Sequence, residues 1–509
     1  MPNHADRLTP ERLRRDGEVF TAAVARAWWM AHAGHAPGAA LQALHERHAA
    51  VLGEEALAVA LELFRADDGD VARRQRARAL LEWQVESRAA RAVAALDERE
   101  IAWSRTAVVT LPWGERLPYE QAPIAIANAG DRGRRLAIDE ARAALVAREL
   151  APLRRERFAR ERDAVEGLGL AGGYVETFAE VSGIDIRALA ADAAAFLRDT
   201  EALWHELFAE FVVRGGGIAA GEATRADALY LLRGHAFDAH FPAGHLEPEI
   251  LRQVREMGLD PLAGGRIRLD TADRPGKRAR AFCAPVQVPD EVHLVLRPQG
   301  GAADWRTFLH ELGHALHFAH MTPGTPFEDR WLGDHSITEG LAMLFDHRLH
   351  DRGWLARYAG MPRRVVAAWR RAAAFEELQF LRRYCAKLAY ELVLYGGGAS
   401  WDDLPGAYAD TLGAATRFRY QPADALVDVD PRFYGARYLR AWQLQAVLAT
   451  TLTERFDEDW WRNPASGPWL AAEVLAHGQR ELGHDLAQRV TGQALSFAPL
   501  VRALEAMVA

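Results

Sequence analysis

The sequence predicts a mainly α-helical protein carrying a small β-sheet. Three observations predict it. Apolar residues recur every three or four positions over long stretches, two short β-like interruptions fall near 105–127 and 266–297, and strands and helices do not alternate regularly.

At 509 residues the chain exceeds what one compact core accommodates, so two lobes are expected. The helical spacing over 10–100 opens an N-terminal helical lobe, taken as 1–200, and 201–509 forms the second region. TAVVTLP and PIAIANA, separated by Trp113-Gly114-Glu115-Arg116, read as a β excursion in the first. From Arg134 to Glu166 Arg and Glu alternate densely, which reads as a solvated helical face. Gly215-Gly216-Gly217 reads as a joint between lobes or as a surface loop. RIRLD, RAFCAPVQV and EVHLVLR form the small sheet, and helices resume at Asp304.

Composition excludes several classes. Half the residues are hydrophobic and 26% are charged, as in ordinary soluble proteins. A net charge of −8 argues against a nucleic-acid partner. Two cysteines, Cys283 and Cys385, exclude a disulfide framework. The opening MPNHADRLTPERLRRDGE lacks the apolar core of a signal sequence, and no apolar run approaches membrane-spanning length. A cytoplasmic protein is expected, with no membrane partner; the oligomeric state is not legible.

The chemistry concentrates in His310-Glu311-Leu312-Gly313-His314, within a stretch of helical spacing. Residues four apart lie on one helix face, so His310 and His314 can both ligate one Zn²⁺ at about 2.0–2.1 Å. Glu311 lies about 100° round the helix from His310, where it can reach a water at the metal rather than the metal itself. Gly313 leaves room beside the metal, at a cost of about 1 kcal/mol relative to Ala. A catalytic zinc site takes three protein ligands and one open position. Glu339, 25 residues beyond His314, suits the third. Asp346, two turns later on the same face, suits a carboxylate holding the far nitrogen of a ligand histidine. The alternatives are a capping box over Ser336-Ile337-Thr338-Glu339 and a surface acid at Asp346. His317 belongs to the outer shell or core, and His335 is a candidate for the cleft.

These residues resemble the thimet oligopeptidase/oligoendopeptidase family of zinc metallopeptidases. The likeness covers about the last 300 residues and rests on LDTADRPGKRARAFCAP (269–285), HELGHALH (310–317), TEGLAMLFD (338–346) and FYGARYLRAW (433–442). It implies a two-lobed helical metallopeptidase with its zinc, one per chain, at the floor of a deep active-site channel. It also implies a small sheet whose edge strand lies beside the substrate. That strand would be 291–296, with Val292 and Leu294 at the substrate, or else ordinary core sheet. The resemblance further implies that Tyr438 and Tyr434 supply hydroxyls to the oxyanion; the alternative is that both are amphipathic core residues. Val429 and Ala441 depart from the family's usual histidine and third tyrosine.

The expected reaction is hydrolysis of internal bonds in short peptides, with Glu311 moving the proton from water to the leaving amine. A zinc carboxypeptidase or dipeptidase is the nearest rival, and would add a cationic clamp such as Arg437 or Lys387. A non-peptide zinc hydrolase and a catalytically silent peptide-binding protein are the others. The intact Glu311 speaks against the last.

Overall fold

A computed structural model describes residues 8–66, 69–170 and 172–509. Residues 1–7, part of the segment read for a signal sequence, lie outside the described residues. The chain is mainly helical, as expected. It divides into two compact units that interleave along the sequence. The first comprises 1–85, 236–367 and 440–500; the second comprises 86–235, 368–439 and 501–509. Positions 200 and 215–217 both lie inside the second unit, where Gly215–Gly217 forms the turn after the helical segment Ala209–Arg214. No helix among the described residues is long and apolar enough to cross a membrane.

The first unit holds a three-stranded sheet of β3 (Ile267–Asp270), β4 (Phe282–Gln287) and β5 (Glu291–Val295), in the order β3-β5-β4. β5 runs parallel to β3, with Val292 beside Ile267, and antiparallel to β4, with Leu294 beside Cys283. This corrects the expectation that 291–296 is an edge strand for substrate. Both main-chain edges of β5 are already paired, and Val292 and Leu294 are 0% exposed. All five residues of β5 are buried, as in a central strand.

Helix Pro10–His32 covers one face of this sheet. Its Trp28 meets Phe282 edge-on at 4.9 Å and its Trp29 stacks on His293 at 3.6 Å. Glu291, a charge in a central strand, is matched by the Arg26 guanidinium, which donates at 3.1 and 2.6 Å. Helix Ala302–His320 follows the sheet and packs against β4 and β5. Its start is fixed by Asp304, whose carboxylate accepts from the amides of Gln299 and Gly300 at 2.8 and 2.9 Å. The helix ends at His320, before Pro323 and Gly324.

Helix His335–Asp346 packs against Ala302–His320 along much of its length. Its cap is Asp334, whose carboxylate accepts from Ser336 N–H at 2.9 Å and Gly483 N–H at 2.8 Å. The capping box read over Ser336–Glu339 is therefore not formed, and Glu339 lies on the inner face of the helix beyond its cap. Gly313 allows the crossing. A Cβ there would stand 2.6 Å from Ala342 Cα and 2.9 Å from Leu341 O. Its space belongs to the neighbouring helix, correcting the expectation of room beside the metal.

The second unit contains the hairpin of β1 (Val108–Thr110) and β2 (Arg116–Pro118), paired antiparallel. PIAIANA, read as β-like, is instead part of helix Ala122–Asn128. Pro123 suits a first helical turn, and Ala122 and Ile126 bury against Val109, Leu111 and Ile138. The Arg/Glu-rich stretch is only partly a solvated face. Arg142 is buried and donates to both Asp424 oxygens at 2.8 and 2.7 Å, and Arg157 pairs with buried Glu161 at 2.8 Å. Arg225 adds a third bond to Asp424 at 3.0 Å. Charge alternation in sequence does not separate solvated side chains from buried, paired ones.

The crossing at Gly313 is testable. Gly313→Ala gains helix propensity of about 1 kcal/mol but overpacks two backbones, so a net loss of about 1–3 kcal/mol is expected. Gly406→Ala, in helix Leu404–Thr416 with nothing within 4 Å of its Cβ, should instead raise the melting temperature. Equal gains at both positions would contradict the close crossing.

Candidate metal centre

The first unit brings His310, His314 and Glu339 together. The imidazoles stand one turn apart on helix Ala302–His320, with ring centroids 4.9 Å apart and planes nearly perpendicular. Glu339 Oε2, from helix His335–Asp346, lies 3.4 Å from His310 Nε2 and 3.6 Å from His314 Nε2. One ligand atom from each residue falls within 4.8 Å of the other two. Two imidazole nitrogens and one carboxylate oxygen form a donor set suited to a zinc ion with an open position. The side chains are 23, 13 and 9% exposed respectively, so the set is open on the His310 side.

Each imidazole is held at its far nitrogen. Asp346 Oδ2 accepts from His310 Nδ1 at 2.9 Å, because an ionised carboxylate can only accept. His310 Nε2, on the opposite side of the ring, faces Glu339 Oε2 at 3.4 Å and is the nitrogen whose lone pair would go to a zinc ion. His314 Nδ1 lies 2.8 Å from Thr338 Oγ1, a hydroxyl partner in place of a carboxylate. The other oxygen of Asp346 meets His347 Nδ1 at 2.6 Å.

The electrostatics follow from burial and these carboxylates. Burial alone would depress His310, but Asp346 and Glu339 raise it to about 10. Burial lowers His314. Burial would raise Asp346, yet its hydrogen bonds with His310 and His347 hold it well below the usual carboxylate range. A proton on His310 Nε2 would therefore compete with a divalent cation held there by Glu339. His317 is a core residue, 0% exposed, and burial pushes it down to about 3.

Glu311 stands outside the ligand triad. Its Oε2 accepts from the backbone N–H of Cys283 on β4 at 2.9 Å, which ties its carboxylate to the sheet. Cys283 itself is kept as a thiol, since burial and then the Glu311 charge push it up.

None of the other predicted residues belongs to the His310, His314 and Glu339 group. His335 is the first residue of its helix, half-buried, with Nε2 3.4 Å from Trp331 O. Tyr434 and Tyr438 belong to the second unit and open helix Tyr434–Phe456. Their rings are 5.2 Å apart, and Tyr438 also meets Tyr384 at 5.5 Å. The turn before them is unusual, with positive φ at both Arg432 (59°) and Phe433 (57°). Arg432 is held there by Glu161 at 3.1 Å. Arg437 is buried, with its guanidinium 5.8 Å from the Tyr434 ring. Lys387 is buried and donates to Asp430 at 2.7 Å, so it is already neutralised as a clamp for a substrate carboxylate. Val429 is buried, and Ala441 O would lie 3.2 Å from a Cβ on Gly340 in the Glu339 helix.

Sequence reasoning missed Thr338, Cys283 and His347. Thr338 directly precedes Glu339 and His347 directly follows Asp346, so both were visible as neighbours. The Cys283 contact depends on the placement of β4 against the helix, for which the sequence carries no local signal.

No family model matches the sequence, and none of the curated proteins matches it. Among solved structures, the M32 carboxypeptidase from Deinococcus radiodurans R1 superposes with a TM-score of 0.60. The alignment covers 98% of each chain at 17% identity. The two proteins share a fold. At that identity the likeness carries the architecture and leaves the chemistry to the site.

Glu339→Ala should abolish stoichiometric zinc binding while leaving the metal-free melting temperature little changed, because Asp334 caps the helix. Asp346→Ala and Thr338→Val should each weaken zinc about 10–100-fold in a chelator competition. Thr338→Ser should restore affinity, and equal affinity for Thr338→Val and wild type would remove the hydroxyl from the account.

Proposed function

We propose that this protein is a zinc-dependent peptidase that hydrolyses internal bonds of short peptides. The observation that carries the reading is the convergence of His310, His314 and Glu339 beside a glutamate that ligates nothing in the triad. A zinc ion held by those three side chains would polarise a scissile carbonyl and acidify water. The resemblance of the motifs to the oligopeptidases and the shared fold of a solved carboxypeptidase both support peptide bonds as the target.

Glu311 is assigned as the proton carrier. It takes a proton from the attacking water and returns it to the departing amine, which needs a carboxylate near the metal without being bound to it. The Cys283 amide limits its rotation. Asp346 and Thr338 keep the imidazoles oriented. Following the resemblance, Tyr438, ahead of Tyr434, is assigned a hydroxyl that donates to the developing oxyanion. Their ring contact supports a shared face.

An extended peptide that adds to the sheet would run along β4 rather than β5. β4 is an edge strand and carries the amide bound to Glu311. Short peptides are favoured because a folded protein would first have to open locally to present a strand.

A second reading, carboxypeptidase action, is favoured by the fold shared with an M32 carboxypeptidase. It needs a cation for the terminal carboxylate, and Lys387 is occupied by Asp430.

Glu311→Gln should retain one zinc per chain and lose peptide cleavage by several orders of magnitude, measured by mass spectrometry on a peptide library. Tyr438→Phe should lower kcat about 10²–10³-fold with KM little changed. In the same library, cuts at internal bonds with blocked C-termini support the endopeptidase reading. Loss of all cleavage on amidating the C-terminus would shift the assignment to a carboxypeptidase.

A further inference from the structure

The second unit holds a cavity of about 470 Å³ that none of the site residues line. Its walls come from three segments: Ala147–Arg155, Trp401–Pro405 and Pro422–Leu426. Along the first, Ala147, Ala151 and Arg155 fall four residues apart on one helical face, so two methyl groups stand where larger side chains would fill the space. Leu404, Ala425 and Leu426 supply buried apolar lining.

The wall at 422–426 is not free to collapse inward. Asp424 is locked by Arg142 and Arg225, and the Ala425 carbonyl accepts from Tyr390 Oη at 2.8 Å. The space is a groove, open to solvent along Ala147, Pro152, Arg155 and Pro422, and its volume lies in the range that small ligands occupy. Its lining offers little to a peptide backbone: Pro152, Pro405 and Pro422 have no N–H, and the Ala425 carbonyl is taken. A hydrocarbon body meets no such mismatch.

The lining includes one cation. The Arg155 guanidinium lies 5.4 Å from the Trp401 ring centroid, and Arg162 lies 5.9 Å from the same ring. The acid nearest Arg155 in an ion pair is Asp402, at 3.9 Å and 96% exposed, a solvent-screened partner that an incoming anion can replace. We infer that this cavity binds an alkyl carboxylate of medium chain length, its tail against Ala147, Ala151, Leu404 and Leu426 and its carboxylate at Arg155. The site lies wholly within the second unit, and its lining includes no ligand of the metal centre.

The test uses the full zinc-loaded chain and isothermal titration with decanoate, decanol and acetyl-Leu-Leu bearing a free carboxylate. One decanoate should bind per chain. Arg155→Gln should weaken decanoate about tenfold, as expected on losing a charge-assisted contact, and leave decanol unchanged. Ala151→Trp should fill the cavity and abolish both, with circular dichroism and zinc content as checks on folding. Arg155→Gln keeps the test decisive should Ala151→Trp misfold. Absence of saturable decanoate binding, binding indifferent to Arg155→Gln, or tighter binding of acetyl-Leu-Leu than of decanoate would each overturn the assignment.

Discussion

The candidate metal centre depends on the contact between two helices at Gly313. His310 and His314 come from one helix and Glu339 from the other, so their convergence requires backbones close enough to share one ion. Ala342 Cα occupies the space a side chain at 313 would take. Gly340 does the same on the other face of the ligand helix, where Leu444 and Ala441 press against it. With an ordinary side chain at 313 the two helices would stand further off, and the carboxylate would fall short of the imidazoles. The glycine within the first helix is unfavourable in isolation and is offset by this packing.

Around that crossing the polar groups are arranged by what they can accept. Asp346 holds one imidazole with a charge and Thr338 holds the other with a hydroxyl, so the two ligands differ in basicity although the motif is symmetric. Glu311 is held in turn by a main-chain amide of β4. The sheet therefore serves the site through its edge strand, and its central strand serves the core.

Much of this was legible in the sequence, for a physical reason. Ligand spacing on helices is local: four residues between the histidines and seven between Glu339 and Asp346 place side chains on defined faces whatever the tertiary fold. The mainly helical class and all three strands of the sheet were equally local. Strand order was not, because a short β-like run such as EVHLV reads alike whether it lies at an edge or in the centre. The units were hidden for a related reason. Their limits at 85, 367 and 439 fall inside the helices Val71–Thr106, Arg363–Tyr395 and Tyr434–Phe456, where no turn residues mark them. Buried ion pairs such as Arg142 with Asp424 join residues 282 apart, beyond the reach of any periodicity.

The account stands on one metal bound by two imidazoles and a carboxylate. X-ray absorption at the zinc edge of the purified, zinc-loaded protein tests this directly. It should show a first shell of nitrogen and oxygen only, with the outer-shell scattering of two imidazole rings, and this protein-bound signal should be lost in Glu339→Ala. A sulfur neighbour, which would implicate Cys283, or a single imidazole would contradict the central claim.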